Sequence, residues 1–255
     1  MMSSRTVWVC RVPGGSVLDT VVVEEPLDIR VEGETFAVTM RTPGQDLELA
    51  AGLLRAEGVI RTVDDVLVLA QTETDPHGNT VDVRLAPGVP RPDVASSRAR
   101  FATSACGLCG IASVERLHRN YPPALARLDP NAEWISTAPA TVAAAQPLFH
   151  QTGGIHGAAL FDAEGRLLVA REDVGRHNAV DKAIGWALLE DRPLAGASLF
   201  VTSRIGYELV EKAVVAGLSG VVGLGAATTL AVDLAAQQHM TLIGFLRHDR
   251  QTRYA

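Results

Sequence analysis

Cys106 and Cys109 stand close together in Thr103-Ser104-Ala105-Cys106-Gly107-Leu108-Cys109-Gly110. Thiols at this C-x-x-C spacing can share one turn, and the flanking glycines let the backbone bend. The segment 111–118 has helical character, which sets Cys106 near a helix amino terminus. Unpaired amides and the helix dipole favour thiolate there, and Arg98 and Arg100 just upstream act in the same sense. Three chemistries suit such a pair. A structural zinc site calls for a second C-x-x-C or paired histidines, and His150 and His156 lie at the limit of that spacing. A thioredoxin-like redox pair should follow a strand and open a helix, whereas 99–105 lacks a convincing strand pattern. A persulfide carrier needs one low-pKa thiol on a mobile loop, and the loop composition favours this third use. An inert buried pair is the bland alternative.

Three further clusters carry reactive side chains. Thr152-Gly153-Gly154-Ile155-His156 opens an apolar run to Phe161; a single histidine at a strand start is more often satisfied structurally than catalytic. Within 171–182, a continuous helix would align Asp173, His177 and Asp181 at i, i+4 and i+8. That spacing suits a metal ion, although a helix cap followed by a solvated charge network explains it more simply. Near the end of the chain, Phe245, Leu246, Arg247, His248, Asp249 and Arg250 run on to Arg253, setting three arginines against one aspartate. Loops at the carboxyl ends of α/β strands bind ligands, and arginine forks match phosphate oxygens. A phosphorylated ligand and an ordinary basic surface both fit this tail. The glycines around Gly223 and Gly225 match neither G-x-G-x-x-G nor Walker A spacing.

Composition limits the partners. With 255 residues, 47% hydrophobic and 20% charged, the chain can fill one large or two modest cores, which excludes disorder and coiled coil. A net charge of -6 argues against a general nucleic-acid binder while leaving room for a local basic pocket. Three cysteines (Cys10 with the pair) do not make a disulfide framework and suit a reducing compartment. The start of the chain has no secretory pattern or twin arginine, so a cytoplasmic location is expected. The uncharged stretch 213–232 is long enough for a membrane span. Gly217, Ser219, Gly220, Gly223, Gly225, Thr228 and Thr229 punctuate it, and it reads instead as a helix end, a buried strand and a new helix start.

The elements that must position these groups follow from periodicity. Leu27, Ile29 and Val31, then Phe36, Val38 and Met40, alternate on either side of Glu32-Gly33-Glu34, which predicts a hairpin. Thr42-Pro43-Gly44-Gln45-Asp46 starts a helix carrying Leu47, Ala50 and Leu54, which Gly58 ends. Strands at 66–69 and 81–85 pair across the turn 75–79. The proline-rich segment 86–97 marks a boundary between a β-rich subdomain (1–97) and a larger α/β domain (98–255). In the latter, strands at 156–161, 199–202, 221–224 and 241–245 alternate with helices at 178–189, 207–216 and 228–237. Such alternation implies βαβ units in a layered α/β sheet.

Taken in order, Gly52-Leu53-Leu54-Arg55-Ala56-Glu57-Gly58, Ser104-Ala105-Cys106-Gly107-Leu108-Cys109-Gly110, 152–161, 171–182, Tyr207-Glu208 and 241–254 resemble the formate dehydrogenase accessory sulfurtransferase family (FdhD/NarQ). Any one segment is weak; the ordered set spans nearly the whole chain and is specific. The resemblance implies a sulfurtransferase that accepts sulfur from a cysteine desulfurase as a persulfide on Cys106, with Cys109 auxiliary. The sulfur would pass to the bis-molybdopterin guanine dinucleotide molybdenum cofactor required by formate dehydrogenase, so the apoenzyme is an implied partner. Phe245, Leu246, Arg247, His248, Asp249 and Arg250 would contact that cofactor through its guanine nucleotide. The larger domain would be a three-layer α/β arrangement similar to cytidine deaminases, beside a smaller β-rich α+β subdomain. A homodimer is compatible with this reading; nucleic acid, membrane and resident zinc are not expected.

This chain departs from the family pattern in two places: Ala226-Ala227-Thr228-Thr229 replaces Ala-Pro-Thr-Ser, and Gly157 follows the histidine where alanine is frequent. The fold relation raises a zinc deaminase as a rival. Those enzymes need H-x-E followed by P-C-x-x-C, whereas here His156 precedes Gly157 and Ala158, and the cysteine pair comes first with Ala105 before it. A second alternative is a non-catalytic chaperone that only binds the molybdenum nucleotide, leaving the C-x-x-C structural.

Overall fold

Strands β1 (Ser4–Arg11) and β2 (Gly15–Val22) pair antiparallel as a two-stranded sheet of their own. This is a computed structural model describing residues 2–72, 75–92, 121 and 127–255. The Cys106/Cys109 loop and the helical segment expected after it lie outside the described residues.

The expected hairpin forms from β3 (Glu25–Val31) and β4 (Glu34–Arg41). Glu32 (φ 55°) and Gly33 (φ 85°) both take left-handed conformations, matching the demand of a tight two-residue connection between twisted strands. Helix α1 (Asp46–Ala56) follows, then β5 (Val66–Gln71) and β6 (Thr80–Leu85), completing a four-stranded sheet in the order β4-β3-β6-β5. Strand β6 runs parallel to β3. Leu27, Ile29 and Val31 share a buried cluster with Val81 and Val83 of β6 and Leu49, Ala50 and Leu54 of α1. Each such aliphatic side chain contributes roughly 1.5–3 kcal/mol on burial, so α1 is held by packing rather than propensity.

The third sheet has six strands, ordered β12-β11-β10-β9-β7-β8. Helices α2 (Trp134–Ala144) and α3 (Pro147–Thr152) precede β7 (His156–Phe161) and β8 (Leu167–Asp173). Then come α4 (Arg176–Leu189), β9 (Ser198–Val201), α5 (Tyr207–Ala216), β10 (Gly220–Gly223), α6 (Thr229–Gln237), β11 (Thr241–Gly244) and β12 (Thr252–Arg253). Strands β9, β10 and β11 are parallel, joined through α5 and α6. Alternate residues face opposite cores. Ala158, Leu160, Leu199, Val201, Val221 and Leu242 pack with α4, α5 and α6, while Ala159, Phe161, Phe200, Val222 and Ile243 pack with α2. The segment 213–232 is thus the end of α5, the buried strand β10 and the start of α6. Among the described residues, no helix is long and apolar enough to cross a membrane.

The four- and six-stranded sheets meet where α1 lies against α4, and the crossing depends on glycine. A Cβ on Gly52 would stand 1.9 Å from Asp181 O, and one on Gly185 would stand 1.8 Å from Glu48 O. No side chain fits at either place, so the two helix backbones touch directly.

The continuous helix that metal spacing over 171–182 would have required does not form: β8 runs to Asp173, and α4 begins only at Arg176. Asp173 therefore does not share a helical face with His177 and Asp181. Nor is the charge network solvated, because α1 and α5 cover this part of α4 and leave Asp173, Asp181 and Lys182 buried.

Candidate functional site

The carboxyl ends of β9, β10 and β11 lie side by side, and the loops leaving them are bonded into one surface. Ile205 N donates to Ala226 O (2.9 Å), Thr228 N to Ile205 O (3.0 Å), Phe245 N to Gly225 O (3.0 Å) and Leu246 N to Gly223 O (3.1 Å). The Ala226-Ala227-Thr228-Thr229 loop is therefore fixed without the family's proline. Gly225 is required for this closeness, since a Cβ there would stand 2.6 Å from Ser203 O. At the other departure, a Cβ on Gly157 would stand 2.3 Å from Gln146 Nε2. Glycine here makes room for that buried amide.

The tail 245–250 forms one tight turn at the end of β11. Phe245 is exposed with φ 51°, whereas Leu246 turns inward and is 1% exposed. Arg247 N donates to Arg250 O (2.8 Å), closing the turn. The Arg247 guanidinium donates to Leu224 O (3.0 Å) and Leu246 O (2.6 Å), so this side chain braces neighbouring loops. His248, Asp249 and Arg250 are exposed. Between this turn and the start of α2 lies an open cleft of about 560 Å³, bounded by 130–136 and 246–251. Gln251 Nε2 donates to Pro130 O (2.9 Å), tying its two walls together. The fold thus gathers five of the six tail residues at one cleft, with Leu246 in its floor and polar groups around it, and leaves Phe245 outside the lining. Cys106 and Cys109 cannot be related to it, being outside the described residues.

A second group of titratable side chains lies at the same edge of the sheet, on the α4 and α5 side. His156, half-buried at the start of β7, has its pKa lowered by burial and then by the Arg176 charge, against the opposing pull of Asp173. His177 Nε2 lies 3.2 Å from Glu208 Oε2. Burial first, then the charges of Lys212, Arg176 and His156, push the His177 pKa down to about 3. At neutral pH the imidazole is therefore uncharged, and its contact with Glu208 is not an ion pair. Asp181, wholly buried, is raised to about 6 by desolvation despite Lys212 Nζ at 2.6 Å. Tyr121 donates its hydroxyl to Glu211, and burial followed by that carboxylate raises its pKa.

The sequence singles out His156, Asp173, His177 and Asp181, and places Lys182 and Glu208 in marked segments without pairing them, while Lys212 goes unnoticed. A signal existed for α5: Glu208, Glu211 and Lys212 recur at i, i+3 and i+4, one helical face carrying charges that need partners. His150, the other histidine weighed for zinc, instead contacts Ala143 O through Nε2 (2.8 Å). Among the described residues, no group of three or more His, Cys, Asp or Glu side chains converges as a metal site.

Comparison with known proteins bears on the whole chain. Residues 22–255 match the model of the FdhD/NarQ family. A sulfur carrier protein FdhD from Streptomyces avermitilis is 46% identical over 263 residues, covering 97% of this chain and 92% of that protein. Its counterpart of the same name from Mycobacterium tuberculosis is 43% identical over 247 residues, covering 92% and 90%. A crystal structure from Desulfotalea psychrophila, described as that of a candidate formate dehydrogenase accessory protein, superimposes with a TM-score of 0.76 at 25% identity, covering 98% of this chain and 95% of that one. Sequence and fold agree over nearly the full length, and the chain belongs to the FdhD/NarQ family.

Proposed function

We propose that this chain is a sulfur carrier in formate dehydrogenase maturation. The observation that carries the reading is its family membership, with full-length relatives named sulfur carrier protein FdhD at 42–46% identity. In this reading a cysteine desulfurase delivers sulfur to Cys106 as a persulfide, Cys109 assists, and the protein acts as a sulfurtransferase. The acceptor is the bis-molybdopterin guanine dinucleotide molybdenum cofactor, bound as substrate and destined for formate dehydrogenase apoenzyme. The cleft at 245–250 supports the binding half of the reading: it offers exposed cations in a chain of net charge -6. Division at 86–97, kinship of the larger domain to cytidine deaminases, a cytoplasmic location and a homodimer belong to the same reading. No resident zinc is assigned.

Intact-mass analysis after incubation with a cysteine desulfurase and cysteine tests it. The wild type should gain one sulfur atom that Cys106→Ala does not, and that variant should fail to activate formate dehydrogenase while staying folded. Full activation by Cys106→Ala removes the carrier assignment and leaves the chaperone that only binds the cofactor.

A further inference from the structure

The cleft between α2 and the tail has two chemically different walls. Arg247, His248 and Arg250, with Asp249 among them, line the loop side, and Glu133 lines the helix side at the start of α2. Between them, Ile135 and Leu246 supply an apolar floor, 2% and 1% exposed. Glu133 and Arg250 border the same cleft, yet among the described residues neither side chain makes an ion pair or hydrogen bond. Glu133 occupies the N-cap position of α2 without a side-chain capping bond, so helix formation does not employ its carboxylate.

A nucleoside diphosphate has the same polarity. Its phosphates need cations at one end, and its base needs a flat apolar contact and hydrogen-bond partners at the other. Resting on the nucleotide-binding reading above, we propose that Glu133 selects guanine. An ionised carboxylate only accepts hydrogen bonds and has two oxygens to do so. Guanine presents two adjacent donors on its pairing edge, N1–H and the N2 amino group, which fit both oxygens in parallel. Adenine offers a lone pair at N1 and lacks the N2 amino group, so it would leave the carboxylate repelled and half-satisfied. The other carboxylate at the cleft, Asp249, lies on the loop wall between His248 and Arg250, whereas Glu133 faces it from the helix wall.

Calorimetric titration of GDP and ADP into the full chain, wild type and Glu133→Gln, tests the assignment, with Arg250→Ala run in parallel. The wild type should prefer GDP. Charge-assisted pairing of this kind is worth roughly tenfold to a hundredfold in affinity, so Glu133→Gln should weaken GDP by about that factor and leave ADP unchanged. Arg250→Ala should weaken both nucleotides alike. GDP binding that depends on Arg250, with a GDP/ADP ratio indifferent to Glu133→Gln, overturns the guanine assignment alone. Absence of GDP binding to the wild type overturns the nucleotide reading, and this inference with it.

Discussion

Lys182 Nζ lies 2.7 Å from Asp173 Oδ2, and both side chains are fully shielded from water. The pair centres a network that bridges the four- and six-stranded sheets. Lys182 Nζ also donates to Thr42 O (2.9 Å), Asp173 Oδ2 accepts Thr42 N (3.1 Å), and Val174 N returns a bond to Thr42 Oγ1 (3.1 Å). Asn178 adds a bond to Met40 O (2.8 Å) and one to Asp173 Oδ1 (3.0 Å). Thus the end of β4 is clamped to the β8–α4 junction, from which His177 and Arg176 project.

Removing one partner of this pair should be far more damaging than its exposure-free neighbours suggest. Lys182→Met keeps the length of the side chain but leaves the Asp173 carboxylate buried without its cation. Losses of about 3–5 kcal/mol are typical for such a change. Urea unfolding should show this drop, and a loss below about 1 kcal/mol would mean that the carboxylate finds water or another donor.

Gly52 and Gly185 predict a second large effect through shape alone. A methyl group at either site meets a backbone carbonyl at less than 2 Å, which no rotamer change relieves. Gly52→Ala should therefore part α1 from α4 and lose about 1–3 kcal/mol or more. Gly154→Ala is the control, since its Cβ would meet nothing nearer than 3.8 Å. Equal thermal midpoints for the two variants would contradict the backbone contact.

His177 and Asp181 give the stability a defined dependence on pH. The folded chain holds His177 near 3 against an ordinary 6.5, so between those values the unfolded chain binds a proton that the folded one refuses. Its contribution is full above pH 6.5 and is lost as pH falls toward 3. Asp181 acts in reverse: raised from 3.8 to about 6, it lets the folded chain take up the extra proton, which stabilises the fold as pH falls through that window. The larger displacement belongs to His177. In His177→Gln only the Asp181 effect of the two remains, so the stability gap between wild type and variant should shrink from pH 7 to pH 5. The bound is about 1.4 kcal/mol per pH unit for one proton. A gap that stays constant between those pH values would show that His177 titrates normally.

Elements governed by local pattern were legible in the sequence, and those governed by distant partners were not. The strand at 156–161 and the helix at 207–216 coincide with β7 and α5, because apolar periodicity and flanking glycines define them locally. Helix α3 escaped because its first amides, Leu148 N and Phe149 N, are satisfied by the Glu172 carboxylate from β8 (3.0 and 2.8 Å). Helix α2 escaped because it lacks a side-chain cap and carries Pro139 inside it. The β1–β2 hairpin showed only a short apolar run, and it leaves Trp8 and Leu18 exposed as cross-strand partners. At the site, the positive tail was readable as charge after a strand. The wall facing it was not, since 130–136 reaches the cleft only through the packing of α2 on the sheet.

The two tail arginines should contribute to ligand binding in different ways. Arg250 has no side-chain partner among the described residues and is free to meet a diphosphate, whereas Arg247 already donates to Leu224 O and Leu246 O. A charge-assisted contact is worth roughly 1.5–3 kcal/mol. Arg250→Ala should thus weaken GDP by about tenfold to a hundredfold with the fold intact. Arg247→Ala should also loosen the turn, which near-ultraviolet circular dichroism or amide exchange at 245–250 can detect without any ligand. The double variant should lose about two orders of magnitude or more in GDP affinity. If the tail were only a solvated basic surface, all three variants would bind GDP as the wild type does, and equal affinities by calorimetry would place the nucleotide elsewhere on the molecule.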